Sequence, residues 1–230
     1  MTPEHINSSI ARALKGESHL DPEVLKIHGF STPAMRHLFS NLCNIDGLHY
    51  LEVGVYCGGT FIAAFNKNLC TAAVGIDNFA QDFSRQGVRE ELAANLQKWR
   101  DTGNYVHFIE GDCFELAEKP EEIGSRYDVF CYDGHHDFEP TSNALPAFFD
   151  LLADRFIFIV DDFHWPQVSA GVKTGFETLE GKVKIVQEWK LSGKRKQDDK
   201  IWWNGVFIAL CEKIKDEPSF NTDLPPGEHE

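Results

Sequence analysis

The chain has 230 residues, of which 42% are hydrophobic and 25% charged. At about 150 residues per domain, that length suits one large α/β domain or one domain with an appendage. A core of that size needs no staples, so disorder, collagen-like repeats and small disulfide scaffolds are excluded. With 22 Lys and Arg against 36 Asp and Glu, the formal charge is −14, and so acidic a surface repels phosphate backbones and anionic lipid heads. The one basic run, Lys194-Arg195-Lys196, is followed by Asp198-Asp199 and reads as a solvated loop. Neither nucleic acid nor membrane is expected as a partner.

The six cysteines (Cys43, Cys57, Cys70, Cys113, Cys131 and Cys211) form no CxxC pair, and four of them lie in apolar runs. That usage predicts free thiols in a reducing compartment. The first residues, MTPEHINSSIARALKGE, lack the apolar stretch of a secretory signal, and no run approaches the roughly 18 apolar residues that span a bilayer. The expected location is the cytoplasm.

In chain order, Pro3 to Leu14 and Pro33 to Cys43 read as helices on either side of a break at Gly29 to Thr32, and predict an N-terminal helical cap over residues 1–46. Residues 47–214 then alternate apolar strand-like runs with amphipathic helical stretches. Five strands are expected at His49 to Val55, Ala73 to Asp77, Val106 to Glu110, Val129 to Asp133 and Phe156 to Asp161. The intervening helices are expected at Thr60 to Asn68, Arg85 to Thr102, Glu115 to Ile123 and Glu139 to Leu152, the last kinked at Pro146. A further helix covers Gln167 to Leu179. The last two strands, Lys184 to Leu191 and Trp202 to Cys211, flank Ser192 to Lys200, a stretch too short for a crossover helix, so they should pair antiparallel. The fold class is therefore α/β: a doubly wound, Rossmann-like, seven-stranded sheet of five parallel strands and a C-terminal antiparallel hairpin. The tail, residues 215–230, is polar and Pro-rich and has little to bury.

Candidate chemistry begins where the first strand meets its helix, in Glu52-Val53-Gly54-Val55-Tyr56-Cys57-Gly58-Gly59-Thr60. Glycines there let backbone turn tightly and approach a ligand at the carboxyl edge of the sheet. The spacing G-x-x-x-G is not the G-x-G-x-x-G of dinucleotide sites, and Glu52 suits a ligand carrying positive charge. A purely structural turn is the other reading. Asp77, ending the second strand beside Asn78, can accept from a ribose diol or serve as a turn residue. The third strand ends in Glu110-Gly111-Asp112-Cys113, a turn able to hold a purine edge.

These turns resemble the class I S-adenosylmethionine-dependent methyltransferases, over nearly the whole span from His49 to Cys211. The E-x-G-x-x-x-G-x-T turn, the acidic residue after strand two and the Gly-Asp after strand three stand in that family's order, and Tyr56-Cys57-Gly58 resembles the catechol O-methyltransferase branch. The resemblance implies that Glu52, Gly54, Tyr56 and Thr60 surround the methionine part of S-adenosylmethionine. It places Asp77 and Asn78 at the ribose, Asp112, Cys113 and Phe114 at the adenine, and Asp133 beside the cofactor.

A second constellation joins Asp133-Gly134-His135-His136-Asp137-Phe138-Glu139 to Asp161-Asp162-Phe163-His164-Trp165. Adjacent parallel strands bring Asp133, Asp161 and Asp162 to one edge, where three hard carboxylates favour Mg²⁺ or Mn²⁺. Alternatively, Asp162 caps the next helix and Asp133 touches only the cofactor. The pattern D-G-x-H-x-x-E followed by D-D resembles the macrocin-type, metal-dependent O-methyltransferases, which implies Asp133, Asp161 and Asp162 as metal ligands; His135 stands where those relatives often carry Asp. Methyl transfer to oxygen needs a base, and His136, where the catechol branch carries Lys, is the catalytic candidate beside Asp133. A structural hydrogen bond is its alternative role, and His164 is placed behind it. Phe79, Phe83, Phe138, Phe163 and Trp165 are candidate pocket walls or core, while Trp189, Trp202 and Trp203 are assigned to packing or a subunit interface.

The expected function is methyl transfer from S-adenosylmethionine to a hydroxyl of a small molecule with help from Mg²⁺ or Mn²⁺, in a chain able to form a homo-oligomer. The alternatives are a metal-independent N- or C-methyltransferase, a silent relative, or a nucleotide-binding or dehydrogenase-like module.

Overall fold

The computed structural model describes residues 1–68, 72–80, 86–99, 105–124, 126–192 and 199–215. Two helices lead: α1 (Pro3–Leu14), capped by the Thr2 side chain, and α2 (Pro33–Leu42), capped by Thr32. Each starts on a proline, whose missing N–H costs nothing in a first turn. The strands are β1 (His49–Val53), β2 (Ala72–Asp77), β3 (Tyr105–Glu110), β4 (Tyr127–Tyr132), β5 (Leu152–Val160), β6 (Val183–Leu191) and β7 (Val206–Lys213). Between them run α3 (Gly59–Phe65), α4 (Val88–Trp99), α5 (Cys113–Ala117), α6 (Pro120–Ile123), α7 (Phe138–Phe148), α8 (Pro166–Thr178) and α9 (Asp199–Trp202).

The seven strands form one sheet in the order β3-β2-β1-β4-β5-β7-β6. The first five are parallel, and β7 inserts antiparallel between β5 and β6, as the loop lengths predict. The chain reverses direction of progress between β1 and β4, the switch point outside which open α/β sheets bind ligands. The central strands show why both faces are covered. In β5, Ile157 and Ile159 face one core with Phe39, Phe61 and Ile208, whereas Phe156, Phe158 and Val160 face the other with Phe130, Phe148 and Phe207. A two-residue period that is apolar on both phases needs cover on both sides, and each fully buried Phe or Ile contributes roughly 1.5–3 kcal/mol. On the first face, α1 and α2 supply Ile6, Met35 and Leu38 to the same cluster as the sheet.

Several boundaries differ from the sequence expectation for local reasons. The expected strand ends at Val55 and Asp133 retreat to Val53 and Tyr132, because Gly54 turns the chain at φ +91°. Glu115 to Ile123 is two short helices, split where Lys119 precedes Pro120 with an extended φ of −125°. The fourth crossover helix ends at Phe148, Pro146 lying in its last turn, and a 3₁₀ turn then feeds a longer β5. Trp202 ends α9 rather than starting β7, with Gly205 at φ +91° between them. Cys70, Phe83, the Lys194–Lys196 run and the tail from 216 lie outside the described residues. Among the described residues, Cys43, Cys57, Cys113, Cys131 and Cys211 form no disulfide. No helix among the described residues is long and apolar enough to cross a membrane.

Candidate active site

The glycine turn after β1 is built around two carbonyl approaches. Gly54 donates its N–H to Ile76 O at 2.8 Å, and a Cβ on it would lie 1.9 Å from Asp133 O. Tyr56 is held at φ +50°, unfavourable for a tyrosine, because its N–H donates to Asp77 Oδ2 at 2.7 Å. Asp77 Oδ1 accepts from Phe79 N at 2.7 Å. Asp77 thus shapes two loops at once. Asn78 Oδ1 accepts from Ala80 N at 2.9 Å. Asp112 caps α5, accepting from Phe114 N and Glu115 N at 2.9 and 3.2 Å, so its carboxylate is already fixed at the sheet edge. Burial pushes the neighbouring Cys113 thiol up to about 12, and it stays a neutral apolar wall.

Glu52 is 0% exposed. Tyr50 OH donates to its Oε2 and Thr60 Oγ1 to its Oε1, the latter at 2.7 Å. Burial raises its pKa to about 8, with Asp133 and Asp77 adding to the rise. Glu52 lies outside the residues lining the two cavities, whereas Thr60, which donates to it, lines the smaller one.

The second constellation closes around His136. Its Nε2 lies 3.3 Å from Asp133 Oδ1 and 3.5 Å from Asp162 Oδ2, and Trp165 packs edge-on against its ring at 5.4 Å. With Nε2 bridging two carboxylates, Nδ1 is left as the nitrogen that can take a proton. Burial and the charge of Asp162 push the Asp133 pKa well up; burial and Asp133 do the same to Asp161. Asp161 is 8% exposed and its Oδ1 has no hydrogen-bond partner among the described residues. Asp162 sits at φ +53° and does not cap α8, whose N-cap is Trp165. The capping alternative is thereby removed.

In donor type the three aspartates suit a hard cation. Their arrangement does not: among the described residues no group of three or more His, Cys, Asp or Glu side chains is placed to hold a metal ion, and His136 Nε2 fills the space between Asp133 and Asp162. The expected Mg²⁺ or Mn²⁺ cage is not formed among the described residues.

These groups share one cavity of about 570 Å³, within the usual range for small-molecule sites. Gly54, Tyr56, Asp77, Asn78, Asp112, Cys113 and Phe114 line it together with Asp133, His136, Asp161 and Asp162. Thr60 opens into a smaller cavity of about 50 Å³ that also touches Gly54, Tyr56 and Asp133. Of the aromatic candidates, Phe79 and Trp165 line the large cavity. Phe163 stacks on Phe207 at 5.0 Å as core, and exposed Phe138 is outside the lining. His164 packs against Gly205. Trp189 bonds Asn7 at 2.8 Å and Trp202 is buried, in keeping with packing roles, but Trp203 lines the cavity. Sequence reasoning missed Phe30, Trp203 and Asn204 as lining residues; the Asn-Gly after a Trp pair, just before the last strand, was the available signal.

Residues 51–163 match the model of a family described as a methyltransferase domain. The match covers 113 of the 230 residues, just under half of the chain. An uncharacterized protein of Acanthamoeba polyphaga mimivirus is 26% identical to this chain over 145 residues, 59% of this chain and 64% of that protein, so the match spans less than two thirds of that relative. Among solved structures, an O-methyltransferase from Bacillus cereus in complex with SAH superposes with a TM-score of 0.57 at 12% identity, covering 91% of each chain. The O-methyltransferase TomG from Streptomyces achromogenes, involved in tomaymycin synthesis and solved with SAM, gives 0.56 at 15% identity, over 91% of this chain and 90% of that one. An SAH-bound methyltransferase from Podospora anserina gives 0.54 at 14%, over 90% and 88%. At these identities the superpositions carry the fold alone, an α/β methyltransferase fold whose sheet ends in the antiparallel hairpin.

Proposed function

We propose that this chain is a methyltransferase that takes its methyl group from S-adenosylmethionine and delivers it to a hydroxyl of a small molecule. The observation that carries the reading is the one cavity lined both by Asp77 and Asp112 and by the Asp133–His136–Asp162 group. Asp77 and Asp112 offer fixed carboxylates for a ribose and an adenine edge. His136 offers a base. In the transfer, the hydroxyl oxygen attacks the methyl carbon in line with the C–S bond; the O–C bond forms as the C–S bond breaks, the electron pair goes to sulfur, and the hydroxyl proton passes to His136 Nδ1. Asp133 and Asp162 then face the imidazolium through Nε2 and stabilise it. The absence of Lys and Arg from the described lining of the large cavity favours neutral or cationic acceptors over phosphorylated ones.

A metal-assisted version is favoured by one observation, the buried and unpaired Asp161 Oδ1, which a cation could satisfy if His136 moved aside. We propose a cytoplasmic enzyme acting on small molecules, with neither nucleic acid nor membrane as partner. The test is calorimetry with S-adenosylmethionine and its demethylated product, followed by a labelled-methyl screen of a hydroxylated metabolite library with and without excess EDTA. Binding of both cofactor forms with chelator-resistant product formation is expected. No binding at millimolar cofactor overturns the reading, and activity lost to EDTA and restored by Mg²⁺ or Mn²⁺ moves the mechanism to the metal-assisted version.

A further inference from the structure

Arg36 on α2 is 3% exposed, yet it has no acidic partner among the described residues. Its Nη1 donates to Val24 O at 2.9 Å and its Nε to Ser31 Oγ at 2.9 Å. Both acceptors are neutral. Burial lowers its pKa, and no neighbouring charge offsets that effect. A guanidinium held away from water without a counter-ion is costly, and is retained where an anion completes the site. The Nη2 edge is the part left without an acceptor among the described residues. It sits between two glycines: a Cβ on Gly29 would lie 3.4 Å from Nη2, and one on Gly59 2.8 Å from it. Gly29 and Gly59 line the cavity of about 50 Å³, together with Ser31 and Thr60. At about 10–15 Å³ per water on this measure, the space holds a few waters or one carboxylate group. It meets the large cavity along Phe30, Gly54, Tyr56 and Asp133.

We infer that Arg36 anchors the amino-acid carboxylate of S-adenosylmethionine, receiving it on the Nη2 edge at the small cavity. The inference rests on the cofactor reading above and adds to it a residue that no motif marks. The cofactor's charged groups leave one choice. Its sulfonium and ammonium are cationic and its adenosine is neutral, so the carboxylate is its one anion. The large cavity is lined by Asp77, Asp112, Asp133, Asp161 and Asp162 with neither Lys nor Arg among the described residues, and it repels that anion. Arg36 lines neither cavity directly, but its Nη2 lies against Gly29 and Gly59, the backbone wall of the small one, where a carboxylate would meet it across residues that carry no side chain, and Asp133 on the border of that cavity suits the adjoining ammonium. The N-terminal helices thereby become part of the cofactor site.

The experiment compares S-adenosylmethionine with its decarboxylated analogue, which differs by the carboxylate alone, in calorimetric titrations of the full chain and of Arg36→Lys and Arg36→Met. The wild type is expected to prefer the carboxylated cofactor by about tenfold or more, as for a charge-assisted pair. Arg36→Met should lose that preference through weaker binding of S-adenosylmethionine, with the decarboxylated form bound within about threefold of wild type. Arg36→Lys, which keeps the charge without the fork, should fall between. Retained binding of the decarboxylated form also shows that the variants are folded. Equal wild-type affinity for the two compounds overturns the inference, as does an equal loss of both in Arg36→Met; if Arg36→Met does not fold, the wild-type comparison and Arg36→Lys decide alone. Failure of the wild type to bind either compound instead overturns the cofactor reading.

Discussion

Asn204 donates a 2.7 Å hydrogen bond to Asp162 Oδ1, tying the turn before β7 to the loop after β5 across 42 residues of sequence. Two backbone bonds run beside it, His164 N to Asn204 O at 2.9 Å and Phe163 N to Gly205 O at 3.0 Å. Together they hold Asp162 at φ +53°, a conformation a non-glycine residue keeps only when its surroundings impose it. With Oδ1 occupied, Oδ2 is the oxygen presented to His136. The last strand's approach therefore sets which Asp162 oxygen faces His136.

Asn204→Ala should leave one Asp162 oxygen without its donor and free the carboxylate to rotate. Loss of a hydrogen bond to a charged acceptor costs roughly 1.5–3 kcal/mol. If most of that falls on His136 positioning, turnover drops about tenfold or more by the same conversion, with S-adenosylmethionine affinity nearly unchanged. Steady-state kinetics beside calorimetry check the split; equal losses in both would show that Asn204 supports the cavity as a whole.

His136→Ala should lower kcat by roughly 10²–10⁴-fold, the usual worth of a positioned base, and leave the affinity for the demethylated product unaltered. A rate within threefold of wild type at saturating acceptor would transfer the proton to solvent or to another group.

The sheet was legible because its signals are local and repeated. The apolar runs around Tyr50, Val129 and Ile157 fix central strands, and the short polar span after Leu191 forces an antiparallel return. That Gly54, Asp77 and Asp112 share one cavity was legible for the same reason, since each sits at a strand terminus. What escaped depends on contacts between distant segments. Asn204 meets Asp162 only through the hairpin, and Arg36 reaches Gly59 only through the packing of α2 against α3. Glu52 shows the converse failure: its place in the motif marks it as a ligand contact, but its side chain turns away to Tyr50 and Thr60. Sequence spacing does not say which side of a turn a buried carboxyl takes.

Gly54→Ala should abolish cofactor binding and strongly destabilise the chain. The new methyl would have to sit 1.9 Å from Asp133 O at a φ of +91°, so either β1 or the β4 loop must move, and strain in a tight core typically costs 1–3 kcal/mol or about that much again. Thermal unfolding with and without S-adenosylmethionine measures both effects; a variant that melts and binds like wild type contradicts the tight approach of these two loops.

The pH dependence of stability should carry a signature of Glu52. Its pKa rises from 4.5 to about 8 on folding, so between those values the folded chain holds a proton that the unfolded chain has released. Stability from this group is complete below pH 4.5 and is lost as pH climbs through about 8. Asp133 and Asp161, also raised by burial, push the same way, so the melting temperature should fall as pH goes from 5 to 9. Glu52→Gln removes one contributor while keeping an acceptor and a donor for the Tyr50 and Thr60 hydroxyls. Its melting temperature should therefore decline less steeply than the wild type's over the same range, with the two proteins diverging most above pH 7. Parallel curves for the two proteins would mean that Glu52 is ionised throughout, and that the two hydroxyls and the cavity above it supply enough polarity to hold a buried carboxylate.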